Sequence, residues 1–486
     1  MPVATSTPKP LLINGEWVTD ATETFESINP ANGALNYQLS LAGTGQVDAA
    51  VASAKEAAAR PAWRDMLPHV RAQLLQRIAA LVVEHGDEFA RIQMAENGKV
   101  WVECKKQAAS AAATFRYFAA VCETQGSDVT PARGNYLSMT VYEPYGVVAA
   151  ITPWNSPLTM EAQKVAPALA AGNAVILKPS EVTPSAALLL GRLALEAGLP
   201  PGILNVLTGN GQVTGKALVE HDGVRMVSFT GGTASGRLIG ATAAQRLIPA
   251  ALELGGKSPH IVFDDADLEA AVESIVDGIF EGSGQSCVAG SRLFVQRSIY
   301  GKLMDMLVKR AGAIRVGQPA AEDSQMGPIA SFGHRERIEK FVKTALDEGG
   351  RALLGGKRPD GQEFEHGAFY LPTIIDGLDN SATAVREEIF GPVLCALPFD
   401  DEEDLIAQAN DTVYGLASGL WTSNYPRAWR VARALEAGVV WINTYKQLSI
   451  ATPFGGFKNS GIGREKGIGG MRLYQQTKGI YWSMGV

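Results

Sequence analysis

The chain has 486 residues, long enough for two large cores and a small appendage. It is 46% hydrophobic and 19% charged with a formal net charge of -7, the composition of an ordinary globular protein. That excludes the basic balance of a nucleic-acid surface and fits a protein that handles small molecules.

The opening, Met1–Pro10, is short and polar, with no basic stretch leading into an apolar core, so no signal peptide is expected. Apolar runs such as Gly146–Thr152 and Ala186–Leu195 are short, or are broken by a charge at Arg192, and none can span a bilayer. Cys104, Cys122, Cys287 and Cys395 are scattered, with no C-x-x-C and no histidine cluster. This speaks against a disulfide framework and a zinc site, and it leads us to expect no metal and a cytoplasmic protein.

In chain order, Leu11–Val18 reads as a hairpin turning at Asn14-Gly15. Helical faces follow at Val47, Val51 and Ala54, then at Leu74, Leu75, Ile78, Leu81 and Val82, and an alanine-rich helix is expected over Lys105–Ala120. From Gly146 onward strands and helices alternate. The strands are Gly146–Thr152, Ala174–Lys178, Ile203–Leu207 and Met226–Thr230. The helices are Leu158–Ala170, Ser185–Ala197, Val213–Glu220 and Ser235–Gln245. Such alternation builds βαβ units and a parallel, doubly wound sheet, whose ligands bind beyond the carboxyl ends of the strands. Polar motifs fall at those ends: Pro153-Trp154-Asn155, Lys178-Pro179-Ser180-Glu181, Phe229-Thr230-Gly231-Gly232 and Glu253-Leu254-Gly255-Gly256-Lys257. Each alone could be a plain turn; four at equivalent ends of one sheet point to a ligand site.

A second α/β region begins near Ser258, and an amphipathic helix over Asp267–Phe280 leads into E-G-S-G-Q-S-C-V-A-G-S-R, Glu281–Arg292. Glycine there lets the backbone bend, so that the Cys287 thiol can face a cleft with peptide N–H groups close by. Such a thiol is a nucleophile if its surroundings favour the thiolate, and otherwise a small hydrophobe in a loop.

The ordered set P-W-N, K-P-S-E, F-T-G-G-T, E-L-G-G-K, G-Q-S-C, E-E-I-F-G-P and P-F-G-G-F-K-N-S-G-I-G-R-E resembles the aldehyde dehydrogenase superfamily, in its hydrolytic, non-acylating branch, over nearly the whole chain. The resemblance implies an α/β fold of that family. A Rossmann-like parallel-sheet domain for NAD would occupy residues 1–125 and 146–255, and an α/β catalytic domain residues 256–455. A small β arm would occupy 126–145 and 470–486. In the family this arm pairs with a partner subunit, which implies a homodimer or homotetramer.

By the same resemblance, Cys287 is the nucleophile that adds to an aldehyde. Asn155 is the oxyanion donor, or alternatively a helix N-cap before Leu158. Glu253 is the base that activates water on the thioester, or alternatively a carboxylate paired with Lys257. Lys178 and Glu181 resemble the ribose-binding pair, and the carboxylate favours NAD over NADP. Thr230, Gly231, Gly232 and Gly236 resemble the turn beneath the pyrophosphate. Glu388 and Phe390 resemble the residues at the nicotinamide end, and Ile151, Trp154 and Leu254 are expected beside the cofactor.

The substrate tunnel is expected to be lined by Ser156, Thr159, Gln163, Ser286, Val288, Leu448 and Phe454. That lining is wider and more polar than one for short aliphatic aldehydes, which implies a polar or aromatic substrate. A second glutamate, linked to proton relay in many hydrolytic members, aligns here with Gln476. The alternatives are a coenzyme A-acylating enzyme and a non-catalytic member of the fold; retention of Glu253, Cys287, Asn155 and Glu388 argues against both.

Overall fold

The computed structural model describes residues 7–485, so most of the opening Met1–Pro10 lies outside the described residues. Its frame is two large sheets. The first has eight strands. Five of them, Leu204–Val206, Ala174–Lys178, Val147–Ile151, Met226–Thr230 and Ala250–Glu253, run parallel in that spatial order. Val147–Ile151 and Ala174–Lys178 are apolar almost throughout and buried on both faces, as strands covered by helices must be. Antiparallel edges close the sheet, with Leu11–Ile13 and Glu16–Val18 on one side and Gly461–Ile462 on the other.

Strand order sets where a ligand can sit. From Val147–Ile151 the chain steps outward twice in one direction, then returns and steps outward in the other through Met226–Thr230 and Ala250–Glu253. A crevice opens at such a reversal, beyond the carboxyl ends of the central strands. It lies between the turn after Ile151 and the turn after Thr230.

The second sheet has seven strands, six of them parallel, running from Thr373–Asp376 through Val393–Phe399, Arg292–Gln296, Pro259–Val262 and Ala417–Trp421 to Val439–Ile442. Separate apolar clusters cover its two faces, one around Ile261, Phe294 and Leu397 and the other around Val262, Leu293 and Ile279. Tyr136–Pro144 pairs over its full length with Gln475–Ser483, and Asp128–Thr130 adds a third strand.

Most expected elements appear within a few residues of their expected ends, and three differences have local causes. The helix expected over Lys105–Ala120 runs from Trp101 to Thr124, because its buried face continues as Cys104 at one end and Val121 and Cys122 at the other. The helix expected over Val213–Glu220 opens instead as a π turn, Gly211–Gly215, capped by Asn210 Oδ1 on the Val213 N–H; only Lys216–Glu220 is α-helical. The pair Glu23–Ile28 and Leu35–Leu41 went unread, since its first strand is mostly exposed and polar and shows no clean alternation.

Candidate active site

A cavity of about 410 Å³ fills the crevice at the strand reversal. It collects most of the residues named from the sequence. Trp154, Asn155, Ser156, Thr159 and Gln163 line it from the turn and helix after Val147–Ile151, and Thr230, Gly231 and Gly232 from the next strand end. Glu253 and Leu254, then Ser286, Cys287 and Val288, Glu388 and Phe390, and finally Leu448 and Phe454 complete the wall. Ile151 lies beneath, in the core, paired in register with Phe229 and Lys178.

Cys287 is held by an unusual loop. Gly282, Ser283 and Gly284 follow the helix Leu268–Phe280 with φ of 66°, 57° and 71°, so three successive residues are left-handed. Gly284 has a second reason to be glycine, since a Cβ there would lie 2.2 Å from the Gly391 carbonyl oxygen. The Gln285 side chain ties the loop down, donating to Gly282 O at 3.2 Å and accepting from the Ala330 N–H at 2.9 Å. Tyr445 Oη donates to Val288 O at 3.0 Å on the far side. Gly256 of E-L-G-G-K leaves room for the Cys287 carbonyl, which would stand 2.4 Å from a Cβ.

The thiol does not rest as a thiolate. Burial pushes Cys287 up to about 12, and the carboxyls of Glu388 and Glu253 push the same way. Its own backbone N–H and the Lys466 ammonium pull it down. The sequence left open whether local N–H groups favour the thiolate; in the free protein burial and two carboxyls outweigh those dipoles.

Asn155 does not cap a helix. The cap of the helix Pro157–Ala170 is Ser156, and the Asn155 amide instead donates to Gln285 O at 2.9 Å, bridging the first sheet to the cysteine loop. Glu253 does not pair with Lys257 either, whose buried ammonium has no hydrogen-bond partner among the described residues. Glu253 Oε2 is likewise buried and unpartnered, and burial, followed by the nearby Glu465, raises its carboxyl well above the usual range.

The cofactor residues form a track away from the cysteine. Glu388 accepts from the Gly256 N–H at 2.9 Å, and burial holds it up at about 7. Phe390 meets Trp154 edge to face at 5.3 Å, and its carbonyl is bonded to His334 at 2.7 Å. Thr230 Oγ1 is buried without a partner among the described residues, beside Gly231 and Gly232. The helix Thr233–Gln245 begins there with no side-chain cap, and the free N–H groups of a helix N-terminus suit an anion. Lys178 and Glu181 lie further along. Lys178 Nζ donates to Pro179 O at 2.7 Å and stands 4.0 Å from Glu181, which lines an adjoining cavity of about 310 Å³ with Val182 and Asn210. An orphaned threonine hydroxyl, a helix N-terminus and a carboxylate at each end fit a dinucleotide.

The aldehyde dehydrogenase family model matches residues 17–480. A Bacillus subtilis (strain 168) protein assigned by name to the aldehyde dehydrogenases, DhaS, is 39% identical over 475 residues, spanning 97% of this chain and 95% of its own. The chain belongs to the aldehyde dehydrogenase family. Betaine aldehyde dehydrogenase from Staphylococcus aureus, solved with NAD+, superposes with a TM-score of 0.97 at 37% identity, covering 99% of this chain and 96% of that one. An aldehyde dehydrogenase from Bacillus cereus, also an NAD+ complex, gives 0.96 at 38% identity, with 98% and 97% covered. Family membership places the reaction among oxidations of an aldehyde.

One expectation for the family's second glutamate is corrected. Gln476 is exposed on the strand Gln475–Ser483, bonded to Pro144 O at 3.4 Å and not among the cavity-lining residues. The carboxyl beside Glu253 is Glu465, the last letter of the P-F-G-G-F-K-N-S-G-I-G-R-E stretch, to which no role was assigned. It is buried, bonded to Lys164 Nζ at 2.7 Å and to the Gln163 amide. Lys164 Nζ also donates to Ser228 Oγ at 3.1 Å, which meets Tyr474 Oη at 2.9 Å. Lys164, Lys466, His334 and Arg337 were missed too. Lys164 lies in the expected helix Leu158–Ala170, Lys466 directly follows the last motif, and His334 and Arg337 lie in the helix Phe332–Asp347, which no motif marks.

Proposed function

We propose that Cys287, Asn155 and Glu253 oxidise an aldehyde to its acid with NAD, through a cysteine thioester released by water. The observation that carries this reading is that all three line one cavity, and that Glu253 keeps a buried oxygen without a hydrogen-bond partner among the described residues. Thr230–Gly232, Glu181, Lys178 and Glu388 would hold NAD, with Trp154 and Phe390 flanking it, and NAD supplies the hydride acceptor. A carboxylate at Glu181 accepts bonds from a free ribose 2′-hydroxyl and repels a 2′-phosphate, which favours NAD over NADP.

Cys287 Sγ gives its proton to solvent water and adds as the thiolate to the carbonyl carbon. The carbonyl oxygen becomes an oxyanion, placed for the second Asn155 amide hydrogen and the Cys287 N–H. After oxidation the acyl group remains on Cys287 Sγ as a thioester. Glu253 then takes a proton from water, whose oxygen attacks the thioester carbon; the C–S bond breaks, Cys287 leaves as the thiolate and recovers that proton from Glu253, and the acid departs. A carboxyl held above the usual range is better matched to this proton transfer at neutral pH than an ordinary glutamate. Glu253 also disfavours the acylating alternative, in which a thiol replaces water.

The tunnel wall of Ser156, Thr159, Gln163, Ser286 and Leu448 supports a polar or aromatic substrate. Similarity to betaine aldehyde dehydrogenases makes betaine aldehyde worth testing, but its fixed cation would meet Lys466 in the cavity and Lys99 and Lys446 at its mouth. The sheet of Tyr136–Pro144 and Gln475–Ser483 supports an oligomerisation arm made of residues 126–145 and 470–486, and with it a homodimer or homotetramer. Residues 1–125 and 146–255 would form the NAD unit and 256–455 the catalytic unit. Four unpaired cysteines support a cytoplasmic setting.

The test is NADH formation against aliphatic, aromatic and carboxylated aldehydes, with and without coenzyme A, with Cys287→Ala alongside. Turnover that needs no coenzyme A and is lost in the variant is expected. Silence of the wild type across the panel with NAD binding intact would leave only a non-catalytic scaffold.

A further inference from the structure

Among the described residues, Lys466 is the one lysine lining the catalytic cavity. Phe454 and Glu465 exchange backbone hydrogen bonds at 2.8 Å in both directions, and this bridge fixes the next residue against the Phe454 ring. The Lys466 ammonium lies 5.1 Å from the centre of that ring. Glu465 attracts it but is hydrogen-bonded to Lys164 and Gln163 and forms no ion pair with it, and burial outweighs that attraction and works against the charged form. Among the described residues Lys466 has no ion-pair partner, and Glu253 and Glu388, the other carboxyls lining the cavity, are both raised towards their neutral forms by burial.

The backbone is a second, independent observation. Lys466 sits at φ 60°, ψ 176°, immediately before the short helix Gly467–Arg472, whose first bond runs from the Gly470 N–H to Lys466 O at 2.9 Å. Glycine adopts that conformation freely and a lysine is strained in it. Strain of this kind persists where the side chain is needed, and here the side chain brings an ammonium with no ion-pair partner among the described residues to a substrate cavity. A partly dehydrated ammonium without a directly bonded anion is costly, and a ligand anion relieves that cost.

The mouth of the cavity continues the pattern. Lys99, Lys106 and Lys446 line an outer pocket that shares Ser110, Ser156, Thr159 and Leu448 with the inner one. Of the two carboxylates there, Glu103 accepts the Gly282 N–H at 2.8 Å, and Glu281 lies 3.9 Å from Lys106 and 3.7 Å from Lys446. Three ammoniums against two carboxylates leave a positive funnel that draws anions inward.

We propose that the substrate is an aldehyde bearing a carboxylate at its far end, and that Lys466 is the residue that binds that carboxylate. The inference rests on the aldehyde-oxidising reading above. Chemistry at Cys287 is unchanged by it; Lys466 Nζ donates to the carboxylate while the aldehyde reaches the sulfur.

The test compares the purified enzyme with NAD on succinate, glutarate and adipate semialdehydes and on butanal, pentanal and hexanal, which match them in chain length. Wild type is expected to favour the best oxo acid over its alkanal by about tenfold or more in kcat/KM. Lys466→Gly should erase that preference through KM while leaving the thermal midpoint equal or higher, because glycine relieves the strained backbone. Lys466→Arg should keep most of the preference. The inference is overturned by a wild type with no preference, or by a glycine variant that loses kcat equally on both classes or unfolds more easily. NADH from neither class would overturn the oxidation reading and this inference together, whereas alkanal turnover without preference overturns this inference alone.

Discussion

Single groups in this site are set by what surrounds them more than by their type. Glu253 has no hydrogen-bond donor on its free oxygen and lies near Glu465, so its proton is held well above the usual glutamate range. A base must be ionised to act, so kcat is expected to rise with pH along a limb centred above that range. Glu253→Gln should flatten the limb and leave a burst of about one NADH per active site, followed by slow turnover, measured by rapid mixing. Asn155→Ala removes a donor where charge develops, and a fall in kcat of roughly a hundredfold or more is expected with little change in NAD affinity. Glu388, held at about 7 by burial, carries the opposite pH sign for stability. Its folded value lies above the unfolded one, so its contribution is present below about pH 4 and is lost as the pH rises through about 7. Thermal midpoints between about pH 5 and 8 should fall less in Glu388→Gln than in wild type.

Elements matter here through their joints. The helix Pro157–Ala170 is buried along nearly its whole length, and Lys164, fully inaccessible, reaches from it to Glu465 in the segment that returns to the first sheet. Removing one member of a buried ion pair strands the other. Glu465→Gln is therefore expected to cost about 3–5 kcal/mol in denaturant unfolding, and Lys164→Met combined with it to recover much of the loss. The cysteine loop is the second joint. Gly284→Ala would place a methyl group in a left-handed position and against the Gly391 carbonyl, costing about 1–2 kcal/mol from the backbone conformation alone. Its larger effect should be on kcat, since Cys287 follows three residues later. Helix and strand positions were legible because they depend on local periodicity, as in the apolar strand Val147–Ile151. The π turn at Gly211–Gly215 and the exposed strand Glu23–Ile28 carry no such period and were not legible.

At the scale of the whole molecule, the sheet of Tyr136–Pro144 and Gln475–Ser483 leaves Tyr481 and Trp482 75% and 66% exposed, beside Ile480. Aromatic groups so placed mark an interaction surface when they are contiguous. With the oligomeric reading above, Trp482→Glu is expected to shift the enzyme towards monomer in sedimentation at micromolar concentration, while each subunit still binds NAD.

The sequence alone determined the alternating α/β order, the polar motifs at the ends of the strands and the candidate roles of Cys287, Asn155, Glu253 and Glu388. These follow from local hydrophobic period and from short motifs in a fixed order. Only the tertiary structure decided which carboxyl stands beside Glu253, that Asn155 bridges to Gln285 instead of capping a helix, and that the resting thiol is held protonated. Lys164 and Glu465 are 301 residues apart in the chain and meet only when the C-terminal segment folds back onto the first sheet. Burial and the field of neighbouring charges arise from such long-range contacts, and no short stretch of sequence carries them.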